Sequence, residues 1–204
     1  MNQQNSDDKA RRRILQYASR KFATSGYSHV SIAQFASELK MSKSTLYKYF
    51  QSKEELLNAV IDDFYSSFEQ EIDKIAMDPG MNITQKIQAF LLIVRQRFAS
   101  VQVSAIEDMQ RAAPEAYERL EERRKGIITG NLIRLFEQGA RDGYFRKDIP
   151  PVIIANLLLN ALQHLEHPQF MTGTSYTFTD MFQHVFSILL EGSLSDDGRK
   201  EFRK

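Results

Sequence analysis

The chain has 204 residues, no cysteine, 42% hydrophobic residues and a formal net charge of +1. That hydrophobic share excludes an intrinsically disordered chain, and the length suits one large domain or two small ones sharing a core. The absence of cysteine excludes a disulfide framework and a thiolate metal site, and the longest strongly apolar stretch, Val152–Leu162, is too short to span a bilayer and is interrupted by Asn156 and Asn160. The opening segment MNQQNSDDKARRR has no apolar run after its basic cluster, so it does not read as a secretory signal, and a cytoplasmic protein is expected. The small net charge hides an uneven distribution: residues 1–60 hold ten Lys/Arg against five Asp/Glu, a net of +5, and the rest nets −4. A basic head on a mildly acidic body suits a protein that presents one end to a polyanion.

Helix signals recur along the whole chain, and no run alternates with the period of a strand. Residues 1–8 are expected to be a disordered tail. The first helix is predicted from about Lys9 to Thr24, with Ile14, Leu15, Ala18 and Phe22 on one face and Gly26 ending it. Ser31 is placed to cap a second helix carrying Phe35, Ala36 and Leu39, and Ser42 a short third one from Lys43 to Tyr49. Ser52 and Glu55 form a capping box that opens a long helix, stopped at Asp78-Pro79-Gly80. A stripe from Ile83 to Val101 predicts the next helix. A shorter one near Ser104–Ala112 ends before Pro114, and another runs from about Glu115 to Asp142. Val152–Leu165 and Phe178–Leu190 are apolar on more than one face, so each needs more than one burial surface; a second copy of the chain supplies one. Residues 195–204 are polar and are expected to be frayed.

The informative stretch is GYSHVSIAQFASELKMSKSTLYKYFQSKEELL, residues 26–57. Two short helices joined by a turn near Leu39–Ser42, the second polar and basic on its outer face, have the layout of a helix-turn-helix whose second helix enters the DNA major groove. Leu46 and Phe50, four apart, anchor that helix, which leaves Lys43, Ser44, Tyr47 and Lys48 facing outward and Thr45 and Tyr49 on the flanks. Lysines neutralise phosphates, and hydroxyls donate hydrogen bonds to phosphate oxygens. The DNA-contacting set is therefore Ser31, Ser42, Lys43, Ser44, Thr45, Tyr47, Lys48, Tyr49 and Lys53. Thr45, Tyr47 and Lys53 are expected on the backbone, and Lys43, Ser44 and Lys48 on base edges.

These residues resemble the signature of the tetracycline-repressor-like (TetR/AcrR) transcriptional regulators. The resemblance is carried by Ser31-Ile32, Phe35-Ala36, the Leu39–Ser42 turn, Lys43-Ser44-Thr45-Leu46-Tyr47, Tyr49-Phe50, Ser52-Lys53-Glu54 and Leu56-Leu57. It is tight over residues 9–57 and looser in the body, where Ala113-Pro114-Glu115, Arg119–Lys125 and Gly139–Asp148 look like segments of many members. Two positions depart from the pattern: Lys40 stands where the family has a turn glycine, and Ser44 replaces another. The resemblance implies an all-α fold, with a three-helix helix-turn-helix head over 9–57 and a helical sensing and dimerisation bundle over 58–194 that dimerises through its last two helices. It implies a homodimer on a double-stranded, palindromic operator, released by a small-molecule effector, with no membrane partner.

Several body residues are candidates to line an effector cavity: Phe64 and Phe68, Phe90, Val94 and Phe98, and Met109, Tyr117, Ile128 and Leu132. They are aromatic or aliphatic, so a largely apolar effector is expected. Ile154, Leu158, Leu162 and Leu165 on one helix and Phe182, Val185, Phe186 and Leu189 on the next are candidates for the dimer interface. His164, His167 and His184 have metal-ligand character, but Pro168 puts His167 at a helix end, where histidine caps carbonyls; no metal is assigned. There is no glycine-rich phosphate loop, nucleophile elbow or HExxH pair, so neither a cofactor nor an enzyme is expected. The alternative function is a sequence-tolerant architectural DNA-binding protein without a sensing role.

Overall fold

The computed structural model describes residues 2–165 and 176–202, and these are helical almost throughout. The fold is all-α. Among the described residues the only extended pairing recorded is an isolated antiparallel bridge between Phe145 and Leu194. The helices are α1 (Asn2–Ser25), α2 (Ile32–Glu38), α3 (Lys43–Tyr49), α4 (Lys53–Met77), α5 (Ile83–Phe98), α6 (Val103–Ala112) and α7 (Pro114–Ile127). A π-helical turn, Ile128–Leu132, leads into α8 (Ile133–Arg141), followed by α9 (Pro151–Leu165), α10 (Phe178–Ser193) and α11 (Asp196–Phe202). None of these helices is by itself long and apolar enough to cross a membrane.

The chain packs as two compact units, one of Met1–Ser67 with Ser100–Arg123 and one of Phe68–Ala99 with Arg124–Lys204. In the first, α1 buries Ile14, Leu15, Ala18 and Phe22, the stripe its spacing predicts. The helix starts at Asn2, ahead of the Lys9 expected from that stripe, and the Tyr49 hydroxyl donates to Asp7 Oδ1 on its early turns at 3.1 Å. Facing α1 are Val30, Ile32, Phe35 and Ala36, with Phe35 meeting Phe22 and Tyr17 edge-on. Packing also draws α6 against α1, and the Gln102 N–H at the start of α6 donates to the Ala23 carbonyl at 3.0 Å. On α7, Arg119 forks onto the Asp62 carboxylate at 3.0 and 2.6 Å. That pair is half exposed, so it fixes geometry more than it stabilises.

The second unit is built around α5, α8, α9 and α10, which contact one another in pairs. Its core includes Ile87, Phe90, Phe136, Ile154, Leu158 and Phe186. The Asn82–Gln85 capping box opens α5, and a second, Thr177–Asp180, opens α10. The predicted helix from Glu115 to Asp142 is interrupted by the π turn. After it, Leu135, Phe136 and Gly139 are buried while Arg134 and Gln138 are exposed.

The expectation of a frayed end over 195–204 is corrected: residues 196–202 form α11. Ser195 caps it, accepting from the Gly198 N–H at 3.0 Å and donating to the Gly143 carbonyl at 2.6 Å. The Ser195 N–H donates to Tyr144 O, and the Arg146 N–H to Ser193 O. The segment's side chains are polar, and it is docked by backbone. Gly198 is buried so close to Tyr144 that a Cβ would lie 2.0 Å from the carbonyl oxygen. Gly198→Ala is therefore expected to lower stability by about 1–3 kcal/mol, the range for overpacking, with increased proteolysis of the C-terminal segment; a melting curve equal to wild type would contradict the docking.

Candidate nucleic-acid interface

Residues 31–50 make two seven-residue helices and the turn between them. Each helix starts on a serine: the Ser31 hydroxyl accepts from Gln34 N–H, and the Ser42 hydroxyl from Thr45 N–H. The turn is a Schellman motif. Lys40 N–H donates to Ser37 O at 3.1 Å and Met41 N–H to Ala36 O at 2.9 Å, with Leu39 as the capping residue. Such a motif needs a left-handed residue after the cap, and Lys40 has φ 56°, the described chain's only non-glycine residue at positive φ. The lysine thus keeps the glycine's conformation and bears its strain.

Leu46 and Phe50 are fully buried and fix which face of α3 turns outward. Lys43, Ser44 and Lys48 are exposed, Tyr47 is 46% exposed, and Thr45 and Tyr49 lie at the margin, as the spacing predicts. Ser42 is exposed, but its hydroxyl is shared among Thr45 N–H at 3.0 Å and the Ser44 and Thr45 hydroxyls, both at 2.8 Å. Ser31 is exposed and serves as a cap. Lys53, at the first position of α4, is half-buried with its ammonium 4.1 Å from the centre of the Tyr27 ring. The capping box before it is modified: Glu55 N–H donates to Ser52 Oγ, but the Glu55 carboxylate accepts from Gln51 N–H rather than from Ser52.

Sequence reasoning missed several residues that support this surface. Arg11 lies over the Phe50 ring at 5.2 Å. Burial, then the charge of Glu54, pushes the Tyr27 phenol up. Burial pushes the Lys53 ammonium down, and the negative charge of Asp108 opposes it. Asp108, on α6, is buried and accepts from the Ser28 N–H at 2.6 Å. Burial alone would raise its carboxyl, but hydrogen bonds from Ser28 and the charges of His29 and Arg111 hold it below the usual value. An acid 80 residues from its loop leaves no local signal in a sequence.

The candidate cavity residues divide between the units. Phe64, Met109 and Tyr117 belong to the first; Phe68, Phe90, Val94, Phe98, Ile128 and Leu132 belong to the second. Phe68, Phe90, Val94, Met109 and Leu132 are buried, while Phe64, Phe98 and Tyr117 are partly so. The Ile128 side chain lies outside the described ones. Phe68 meets Phe98 edge-on at 5.8 Å, and Phe90 lies 5.7 Å from Phe186. Two open clefts of the second unit have other linings: one of about 460 Å³ between Glu137 and Pro151, and one of about 400 Å³ between Asp78 and Tyr144.

Of the candidate interface residues, Ile154, Leu158, Phe182 and Phe186 are buried within the protomer, while Val185 and Leu189 are partly exposed. The side chains of Leu162 and Leu165 lie outside the described ones, as do that of His164 and the whole of His167. The large apolar side chains exposed on these helices are Val152, Ile153 and Leu157 of α9 and Ile188 of α10.

A short basic helix held outward by two buried anchors behind a Schellman turn defines a DNA-binding regulator of the helix-turn-helix class. Residues 14–60 match the family described as bacterial regulatory proteins, tetR family. The chain is 26% identical over 177 residues to the transcriptional repressor NicS of Pseudomonas putida, covering 85% of this chain and 83% of the relative. It is 23% identical to the HTH-type transcriptional regulator YdgC of Bacillus subtilis, covering 91% and 93%. Its fold matches a transcriptional regulator from Saccharomonospora viridis in complex with choline, with a TM-score of 0.70 at 19% identity, covering 92% of this chain and 99% of that one.

The left-handed Lys40 yields a direct test. Lys40→Gly is expected to raise stability by about 0.5–1 kcal/mol, the relief of a non-glycine left-handed residue less the added freedom of the unfolded chain. Equal urea midpoints for the two proteins would show that the turn stores no strain.

Proposed function

We propose that the protein is a homodimeric repressor that binds a palindromic operator and is released by a small, largely apolar effector. The observation that carries this reading is the outward face of α3, where Lys43, Ser44, Tyr47 and Lys48 are all exposed on a helix anchored by Leu46 and Phe50. The head over 9–57 reads DNA, and the body over 58–194 senses and dimerises. Lys43, Ser44 and Lys48 reach base edges. Thr45, Tyr47 and Lys53 hold the backbone, with Ser31, Ser42 and Tyr49 at the edges of the contact. The functional reading is tested by sequencing the genomic fragments that the purified protein retains in competition with random DNA. Enrichment of a two-fold-symmetric sequence is expected. Tyr47→Ala should weaken binding about five- to tenfold on every sequence alike, the loss of one phosphate hydrogen bond. Retention of random DNA as strongly as any fragment would favour the architectural alternative.

Dimerisation would cover the exposed apolar residues of α9 and α10, and two such helices from each copy make a four-helix interface. Because Ile154, Leu158, Phe182 and Phe186 already pack within the protomer, Leu157, 53% exposed, is the informative position. Leu157→Arg is expected to leave helical content intact and to convert a sedimenting dimer into a monomer. Unchanged sedimentation would place the interface elsewhere.

The effector reading draws on the aromatic and aliphatic candidates named above. Two helices, α4 and α7, have residues in both packing units and are the elements through which occupancy would bias the head. An effector should raise the melting temperature and lower operator affinity together, because coupling is reciprocal.

A further inference from the structure

Gly26, Tyr27, Ser28 and His29 join α1 to the first helix of the DNA-reading pair, and the loop is held from α6 by Asp108. The hydrogen bond from Ser28 N–H to Asp108 is short, 2.6 Å, and charge-assisted on a buried carboxylate. Gly26 shows how closely the acid is fitted. It sits at φ +83°, where a side chain is strained, and a Cβ there would meet Asp108 Oδ2 at 2.8 Å and its Cβ and Cγ at 3.3 Å. Tyr27 lies between these two fixed residues. Its ring packs 5.9 Å from Phe22 on one side and carries the Lys53 ammonium at 4.1 Å. A lysine side chain otherwise samples many rotamers; this one is held by a ring, and its charge is supported by the nearby acid.

We propose that Asp108 is a positioning residue for operator binding: by fixing the Gly26–His29 loop, whose Tyr27 ring carries the Lys53 side chain, it holds the Lys53 ammonium ready for a DNA phosphate at the start of α4. The inference rests on the reading above that Lys53 meets the DNA backbone. A helix outside the DNA-reading motif thus sets how much electrostatic contact the motif makes. A purely structural role for Asp108 would alter folding and leave the number of phosphates neutralised unchanged.

The test is operator affinity as a function of salt for the full-length wild type, Asp108→Ala, Asp108→Asn, Lys53→Ala and the Asp108→Ala/Lys53→Ala double variant, with helical content checked by circular dichroism. Asp108→Ala is expected to weaken binding about tenfold or more, as for a lost buried hydrogen bond to a charged group. It should also reduce the salt slope by about one unit, as Lys53→Ala does. The double variant should lose little beyond the weaker single variant. Asp108→Asn keeps an acceptor for the Ser28 N–H but not the charge, so it should recover part of the affinity with a slope between wild type and Asp108→Ala. Folded Asp108→Ala with wild-type affinity, or with weaker binding at an unaltered slope, overturns the proposal. Should Asp108→Ala fail to fold, wild-type affinity and slope in Asp108→Asn overturns it. A wild type that prefers no fragment over random DNA fails before any variant is compared, and takes the functional reading down with the inference.

Discussion

Everything this protein does with its head depends on burying Leu46 and Phe50. The helix that carries them, α3, has seven residues, two turns that would not persist alone in water. Burying two such side chains contributes about 3–6 kcal/mol, which exceeds what the Ser42 cap supplies. Both anchors lie on one face, so the same burial that makes the helix exist decides which residues it displays. Lys43, Ser44, Tyr47 and Lys48 are exposed because Leu46 and Phe50 are not. Arg11 lying over Phe50 then ties α1 to the end of the reading helix.

The surroundings of the anchor show a division of labour. Apolar burial sets the orientation of α3, while buried polar contacts set the finer placement of the loop and lysine beside it. One acid on α6 satisfies a backbone N–H of the α1–α2 loop, and its negative charge favours the charged form of Lys53 on α4. Since its carboxyl is held below the ordinary value, this contribution is fully present above the unfolded-state pKa and is lost as pH falls through the folded one. The arrangement is therefore intact through neutral pH and vulnerable only in acid.

The head was legible because its signals are local. Ser31 and Ser42 stand three residues ahead of the amides they accept, and Leu46 and Phe50 are four apart. Even the strained turn was visible, as a lysine where a resembling family has glycine. What stayed hidden was set by distance in sequence or by depth. Asp108 is far from Ser28 along the chain. Helical spacing made Ile154, Leu158, Phe182 and Phe186 candidates for the dimer interface, but it does not say which apolar face meets the chain's own core, and these four are buried within the protomer. The C-terminal segment looked frayed because its polar side chains conceal a backbone docking centred on Gly198.

The π turn at Ile128–Leu132 has a consequence for chain length. A π turn holds one residue more than an α turn, so every position after it is set back by about 100° around the axis. An unbroken α-helix continued from Ala116, Arg124 and Ile127, the buried residues of α7, would bring Arg134 and Gln138 inward. With the extra residue, Leu135, Phe136 and Gly139 face the core instead. The segment behaves as a phase adjuster between two amphipathic stretches written in different registers. It is also where the helix can shed a residue: a one-residue deletion within it would close the π turn to an α turn and leave Leu135, Phe136 and Gly139 on the core face.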